Sequence, residues 1–153
     1  MGDDDFRLPW GDILGWRGGG LTIAATDGCF DLLHAGHLRM LTWARGLADR
    51  LVVLLPDDAS VAAAKPGRPF VPLAERMELV AGLRPVDAVG GYAQAELAGL
   101  YARLRPDVLV NSPEWRGRVV GQAEVEARGG RIAFFPEVAG LSTTGIASRI
   151  RGA

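Results

Sequence analysis

The chain of 153 residues has one cysteine, one lysine, two histidines and no long apolar run. A lone cysteine, Cys29, cannot close a disulfide within the chain and is compatible with a reducing compartment. The apolar stretches are too short to span a bilayer, and an amino terminus with Asp3, Asp4 and Asp5 is unlike a secretory signal. We therefore expect a cytoplasmic protein with no membrane partner.

An excess of charge of one sign is also absent, since 17 lysines and arginines face 18 aspartates and glutamates. The two signs are interspersed, so the chain has no basic face and we expect no nucleic-acid partner. Length, average composition and the lack of internal repeats fit one domain. We expect residues 21–153 to form it, with residues 1–20 as an amino-terminal segment packed on it or trailing from it.

Both histidines lie between a strand-like segment, 21–26, and a helix-like segment, 38–44. The unpaired amides and the dipole at such a helix start favour phosphate oxygens. Gly36 leaves the backbone open to a phosphate, and the imidazoles of His34 and His37 can donate to a phosphorus centre that gains negative charge. Helix capping is the alternative for either histidine alone. Two imidazoles make a poor zinc set, so we expect no protein-bound metal.

The rest of the chain alternates between strand-like and helix-like segments. The strand-like segments are 51–55, 86–89, 108–110 and 132–135, and the helix-like ones lie near 73–83, 94–104 and 119–128. This alternation predicts an α/β fold with a Rossmann-like parallel sheet and helices on both faces. Right-handed crossovers place the loops that follow the strands at one edge, where such sheets bind ligands. The histidine segment follows the first strand and belongs to that edge.

Two further segments are candidates for phosphate contacts. Ser142 and Thr143 precede a final helix-like segment, where they can hold phosphates or simply cap the helix. Lys65 is the lone lysine and lies in a loop, where an ammonium can neutralise a triphosphate after the substrate enters. A solvated surface lysine is the alternative.

The residues from Gly28 to His37 read Gly-x-Phe-Asp-x-x-His-x-Gly-His, which resembles the signature of the cytidylyltransferase-like nucleotidyltransferases. Within that family, the chain most resembles heptose 1-phosphate adenylyltransferases and the matching domain of bifunctional ADP-heptose synthases. The likeness runs over residues 21–150. It includes a Gly-x-Ser-Thr-Thr motif that starts at Gly140 and a lysine, Lys65, before Gly-Arg-Pro.

The resemblance implies that a nucleoside monophosphate passes from a triphosphate to a phosphate acceptor and that pyrophosphate leaves. It assigns catalysis to His34, His37 and Lys65, with Mg²⁺ carried by the triphosphate and a homodimer as the expected assembly. The expected nucleotide contacts are Thr26, Asp27, Gly28, Phe30, Gly36, Gly140, Ser142, Thr143 and Thr144. The expected acceptor contacts are Asp31, Arg68, Arg76, Asn111, Glu114 and Trp115. A structural role is the alternative for Arg68, and a helix-start ion pair is the alternative for Arg76.

Three departures from the family pattern bear on the substrates. Asp27 replaces the usual Asn of the heptose enzymes, and a carboxylate repels a triphosphate unless it faces the base, the ribose or the acceptor sugar. Residues 111–115 read Asn-Ser-Pro-Glu-Trp where the heptose enzymes have Lys-Gly-Gly-Asp-Tyr. Glu137 stands where glycerol-phosphate cytidylyltransferases carry an arginine, which favours ATP over CTP.

The leading hypothesis is therefore an ATP-dependent adenylyltransferase that acts on heptose 1-phosphate and forms a nucleotide-sugar. One alternative is a CTP-dependent enzyme that acts on glycerol 3-phosphate, another polyol phosphate or a phosphonate. The other is a nucleotide-binding sensor without turnover.

Overall fold

A computed structural model describes residues 7–136 and 138–152 and contains one sheet of five parallel strands in the order β3-β2-β1-β4-β5. The strands are β1 (Ile23–Asp27), β2 (Arg50–Pro56), β3 (Ala88–Tyr92), β4 (Val108–Asn111) and β5 (Arg131–Phe134). The helices are α1 (Trp10–Gly18), α2 (Ala35–Arg45), α3 (Asp58–Ala64), α4 (Leu73–Ala81), α5 (Leu97–Leu104), α6 (Gln122–Ala127) and α7 (Thr143–Arg151). The predicted α/β fold with a parallel sheet is confirmed.

Helices cover both faces of the sheet, because successive strand side chains point to opposite sides. Ile23 and Ala25 of β1 pack with α1, α5 and α6, and we call this side the α5 face. Ala24 packs with α2 and α4 on the other side, the α2 face. All five residues from Leu51 to Leu55 of β2 are buried, as expected for a strand covered on both faces.

Several boundaries differ from the sequence prediction. The third strand begins at Ala88 and runs through two glycines to Tyr92, and the segment predicted as one helix near 94–104 is a 3₁₀ turn followed by α5. Helices α1 and α3 were not predicted. Helix α1 packs on the α5 face through Ile13, while residues 1–6 of the expected amino-terminal segment lie outside the described residues. No helix of the described residues is long and apolar enough to cross a membrane.

An aspartate precedes each of β2, β3 and β4. Its carboxylate accepts a backbone N–H of the neighbouring strand, or of the residue that directly precedes that strand. Asp49 accepts from Thr22 at 2.8 Å, Asp87 from Leu51 at 2.8 Å, and Asp107 from the N–H of Ile23 at 2.8 Å. Arginines pair with two of them, Arg45 with Asp87 at 2.7 Å and Arg17 with Asp107 at 2.6 Å. The amino edge of the sheet is thus closed by its own polar groups.

Candidate active site

The two histidines form the cap of helix α2 with their own imidazoles. His34 precedes the helix in an extended conformation, and its Nδ1 accepts the N–H of Gly36 at 3.1 Å. The Nδ1 of His37 in turn accepts the N–H of His34 at 3.3 Å. A neutral imidazole that accepts at Nδ1 carries its proton on Nε2. Both Nε2–H groups lack a partner among the described residues, so the cap leaves two donors for a ligand.

The histidine pair is held neutral as well as oriented. The two rings stack with centroids 3.8 Å apart, and Phe30 lies 5.1 Å from the ring of His37. The pKa of His37 is lowered to about 4, chiefly by burial and in smaller part by the charges of His34 and Lys65. Burial also lowers the pKa of His34. Near neutral pH the pair therefore offers hydrogen-bond donors rather than two positive charges.

Gly36 is required by the protein itself. A Cβ at residue 36 would lie 2.9 Å from Nδ1 of His34 and 3.2 Å from Cβ of Leu141. The ring of the capping histidine and the approach of the final segment fill that space. Gly28 has a similar role, because a Cβ there would lie 2.9 Å from the ring of Phe30. Phe30 is itself buried, so it supports His37 from the core.

The start of helix α7 meets the start of helix α2. Thr143 Oγ1 donates to the carbonyl of Leu32 at 3.2 Å, and Leu141 reaches Gly36. Ser142 caps the helix, since its Oγ accepts the N–H of Gly145 at 3.0 Å. Gly140 has a φ of 78°, a left-handed turn that favours glycine. The starts of two helices therefore lie in contact, and the positive end of each helix dipole suits a polyphosphate.

Lys65 ends helix α3 and is exposed, with no ion pair to any described residue. Its positive charge is one of the causes that lower the pKa of His37. The loop after it is tied to the histidine segment by Asp31, whose carboxylate accepts the N–H groups of Phe70 and Val71, each at 2.9 Å. The tie fixes one end of the loop and leaves the lysine side chain free.

Three residues expected at the acceptor, Asp31, Arg68 and Arg76, make polar contacts within the protein. Asp31 is buried, and its carboxylate accepts the loop amides. It also pairs with Arg68, whose guanidinium lies 3.4 Å from the carboxylate and 4.5 Å from the ring of Phe70. Arg76 is completely buried, and its ion-pair partner is Asp58 at 2.7 Å. Four of its five N–H groups donate to the protein, and its complete burial separates the guanidinium from a substrate.

Arg76 joins three loops of the carboxyl edge. Its guanidinium donates to the carbonyls of Cys29, Pro56 and Val71, each at 2.9 Å. The carbonyls of Cys29 and Val71 belong to the loops that follow β1 and α3, and Pro56 is the last residue of β2, where the loop to α3 begins. Arg76 is a positioning residue that sequence spacing alone does not distinguish from a substrate contact. Cys29 is half-buried, and burial raises the pKa of its thiol, so it remains an uncharged packing residue.

Asp27 and Asn111 end the neighbouring strands β1 and β4, whereas Thr26 is buried inside β1. The Asp27 carboxylate accepts the hydroxyl of Tyr101 at 2.7 Å, a contact across 74 residues that no sequence pattern indicates. Burial raises the pKa of Asp27, and the tyrosine hydrogen bond lowers it in part.

The segment after β4 carries Glu114 and Trp115 in a 3₁₀ turn. Glu114 accepts the hydroxyl of Ser112 at 3.2 Å, and the half-exposed Trp115 lies 4.9 Å from the guanidinium of Arg118. Thr144 is exposed at the start of α7, and Glu137 lies outside the described residues. Within residues 7–136 and 138–152, no three His, Cys, Asp or Glu side chains are grouped to hold a metal ion.

Comparison with solved structures agrees with the fold. A lipopolysaccharide core biosynthesis protein from Thermoplasma volcanium aligns with a TM-score of 0.61 at 22% identity, over 78% of this chain and 98% of that one. A protein with unknown function from Archaeoglobus fulgidus aligns with a TM-score of 0.57 at 23% identity, over 80% and 93% of the two chains. Both share the architecture of the sheet and its helices.

Sequence comparison is more specific. A bifunctional protein HldE of Gluconacetobacter diazotrophicus is 44% identical over 143 residues, 92% of this chain and 30% of that protein. A bifunctional protein HldE of Pseudomonas syringae pv. syringae is 44% identical over 132 residues, 85% of this chain and 28% of that protein. The chain thus spans less than a third of these relatives. The family model described as Cytidylyltransferase-like matches residues 25–125. The chain therefore belongs to the cytidylyltransferase-like family of nucleotidyltransferases.

Proposed function

We propose that this nucleotidyltransferase transfers the adenylyl group of ATP to heptose 1-phosphate and releases pyrophosphate. The observation that carries the proposal is the imidazole cap of helix α2, which holds two neutral Nε2–H donors beside the start of helix α7. The resemblance to heptose 1-phosphate adenylyltransferases and the similarity to HldE proteins support the substrate pair. Because residues 111–115 differ from those of the heptose enzymes, a test of this proposal must vary the acceptor.

In the proposed reaction, a phosphate oxygen of the acceptor attacks the α-phosphorus of ATP. The bond from that phosphorus to the oxygen bridging the α and β phosphates breaks, and its electron pair leaves with pyrophosphate. His34 and His37 donate to the phosphate oxygens on which negative charge develops. An acceptor phosphate is already ionised, so the site needs no general base. Positioning and charge stabilisation supply the acceleration, as in phosphoryl transfer generally.

The two helix starts and the lysine complete the polyphosphate site. Unpaired amides at the start of α7, with Ser142 and Thr144, hold the β and γ phosphates, and Lys65 balances their remaining charge. A Mg²⁺ ion carried by the triphosphate would neutralise part of its charge. This fits a donor set without a carboxylate cluster in the described residues, because Mg²⁺ often binds through substrate phosphates.

The decisive experiment measures pyrophosphate release with Mg²⁺, pairing ATP or CTP with heptose 1-phosphate or glycerol 3-phosphate. We expect release with ATP and heptose 1-phosphate, and none when the acceptor is omitted. Release only with CTP and glycerol 3-phosphate would favour the cytidylyltransferase alternative. Nucleotide binding without release for any acceptor would favour the sensor.

Lys65→Ala tests the loop lysine in the same assay. We expect a higher KM for ATP and a lower kcat, because the ammonium neutralises the triphosphate and the leaving group. Its circular dichroism spectrum and Tm should match the wild type, since the side chain is exposed. Unchanged kinetics would show that Lys65 is a solvated surface residue without a role in turnover.

Light scattering of the same samples tests the homodimer, which we propose from the family resemblance.

A further inference from the structure

The inference concerns Asp27, a carboxylate at the ligand-binding edge that pairs with no cation among the described residues. Asp31, Asp58, Asp87 and Asp107 each pair with an arginine. Asp27 is largely buried, and its one side-chain partner is the uncharged hydroxyl of Tyr101. Burying a carboxylate without a cation is unfavourable unless other donors surround it. A ligand that brings hydrogen-bond donors would therefore stabilise the Asp27 carboxylate.

The alternation of β1 separates Asp27 from the histidine pair. Residues 23 and 25 face helix α5 and residue 24 faces helix α2, so residue 27 lies on the α5 face. The contact with Tyr101 of α5 agrees with this position. Asp27 therefore avoids the repulsion that a carboxylate beside the triphosphate would cause, and it borders a different part of the substrate.

Asn111 supplies a complementary group on the next strand. Thr26 of β1 is aligned with Val110 of β4, which brings residues 27 and 111 side by side at the ends of the two strands. Neighbouring strands are about 4.8 Å apart. The Asn111 Oδ1 accepts the N–H of Ser112 at 3.0 Å, so its Nδ2 group remains a donor with no partner in the described part of the chain. Asp27 and Asn111 thus present an acceptor beside a donor.

An acceptor beside a donor matches neighbouring hydroxyl groups, because each hydroxyl both donates and accepts. An ammonium group has donors only, and it would face the Asn111 donor unfavourably. We propose that Asp27 and Asn111 bind hydroxyl groups of the acceptor sugar on the α5 face, and that Asp27 determines acceptor specificity. This inference rests on the proposed function and adds the place where the acceptor is recognised.

The test separates the two substrates kinetically. Asp27→Ala is expected to raise the KM for heptose 1-phosphate about 10- to 100-fold, the effect of losing a hydrogen bond to a charged group, and to leave the KM for ATP unchanged. Asp27→Asn keeps one acceptor oxygen and is expected to fall between Ala and wild type. Tyr101→Phe removes the hydroxyl that orients Asp27 and is expected to raise the same KM by less.

Asp107→Asn is the matched control, since it changes an aspartate of the same sheet at the opposite edge. Its two KM values should equal those of the wild type. Circular dichroism melting confirms that each variant is folded. Equal changes in both KM values for Asp27→Ala, or no change in either, would overturn the proposal.

A binding experiment distinguishes this inference from the proposed reaction. Calorimetry measures heptose 1-phosphate and glycerol 3-phosphate binding to wild type and Asp27→Ala in the presence of a non-hydrolysable ATP analogue. Acceptor binding that Asp27→Ala weakens would support the inference even if no adenylyl transfer occurred. Acceptor binding that is equal in both proteins, or absent from the wild type, would overturn it.

Discussion

The two edges of the sheet use the same residue type in opposite ways. At the amino edge, Asp49, Asp87 and Asp107 accept backbone N–H groups, and arginines pair with two of the three carboxylates. At the carboxyl edge, Asp27 has a tyrosine hydroxyl and no cation among the described residues, and the histidine pair has two Nε2–H groups without partners there. The first edge satisfies its polar groups internally, whereas the second leaves them for a ligand.

The polar groups that stabilise the sheet at its amino edge are therefore separated, by the length of the strands, from the groups at the carboxyl edge that are available to a substrate. Closing the amino edge fixes where β1 and β2 begin, so it supports the sheet without reaching a substrate. The carboxyl edge holds a buried region of its own, because Arg76 ties three loops together beneath the ligand-binding surface. Substitutions should therefore affect folding or turnover according to which of these groups they remove.

Arg76→Ala should have the largest effect on folding. Removing the guanidinium leaves three carbonyls without their donor and removes the cation beside the half-exposed Asp58, and each buried acceptor left unsatisfied costs about 1–3 kcal/mol. Urea unfolding measures the loss of unfolding free energy. Arg76→Lys keeps the charge and part of the bonding, so it should lose less. A loss below about 1 kcal/mol, the scale of one ordinary hydrogen bond, would show that the loops do not depend on Arg76.

His34→Asn should separate turnover from stability at the carboxyl edge. Asn is a favourable helix cap and can accept the N–H of Gly36, so the Tm should change little. It cannot replace the Nε2–H donor, and loss of one preorganised donor lowers kcat by about 10²-fold or more. Pyrophosphate release and thermal melting measure the two effects. His34→Ala is the control that should lose both the cap and the donor.

Asp107→Asn should have the reverse effect at the amino edge. The amide weakens the bond to the N–H of Ile23 and removes the partner of Arg17, which lowers the unfolding free energy by about 1–2 kcal/mol. We expect kcat/KM to match the wild type because this edge lies far from the histidines. A fall in activity at temperatures where the variant is folded would contradict the separation of the two edges.

A pH dependence of stability that comes from His37 is the last test of the comparison. Its pKa is about 4 in the folded protein, against an ordinary value of 6.5, so the unfolded chain binds the proton more readily between these values. The unfolding free energy should therefore fall as the pH is lowered from 6.5 to 4. Urea unfolding at several pH values measures the slope. The slope of His37→Asn should be shallower, and an identical slope would assign the effect to other groups.

Much of the fold is visible in the sequence because apolar runs and helix periodicity are local signals. The run from Leu51 to Leu55 predicts β2, and the apolar spacing after His37 predicts α2. Helix α3 is too short to show a period. Gly90 lies inside β3, and a Cβ there would lie 2.7 Å from Cγ of Leu8, so the need for glycine comes from a residue far away in sequence.

In the candidate site, too, local sequence signals predict some features, whereas others depend on distant residues. The imidazoles of His34 and His37 cap their own helix, so their nearness follows from three residues of spacing. The burial of Arg76 depends on carbonyls from three separate loops, and spacing cannot indicate it. The position of Asp27 on the α5 face depends on the register of β1 and on Tyr101, which local patterns do not contain.

Helix α7 adds more to the candidate site than to the core. Its one buried side chain, Ala147, belongs to neither core cluster, while Leu141 and Thr143 reach the start of α2. In evolutionary terms, the final segment can change its sequence, and with it the handling of the nucleotide, at little risk to folding. Gly36 sets one condition, because a Cβ there would lie 3.2 Å from Cβ of Leu141, so a graft of this segment from a relative should fit best where that relative also has Gly36.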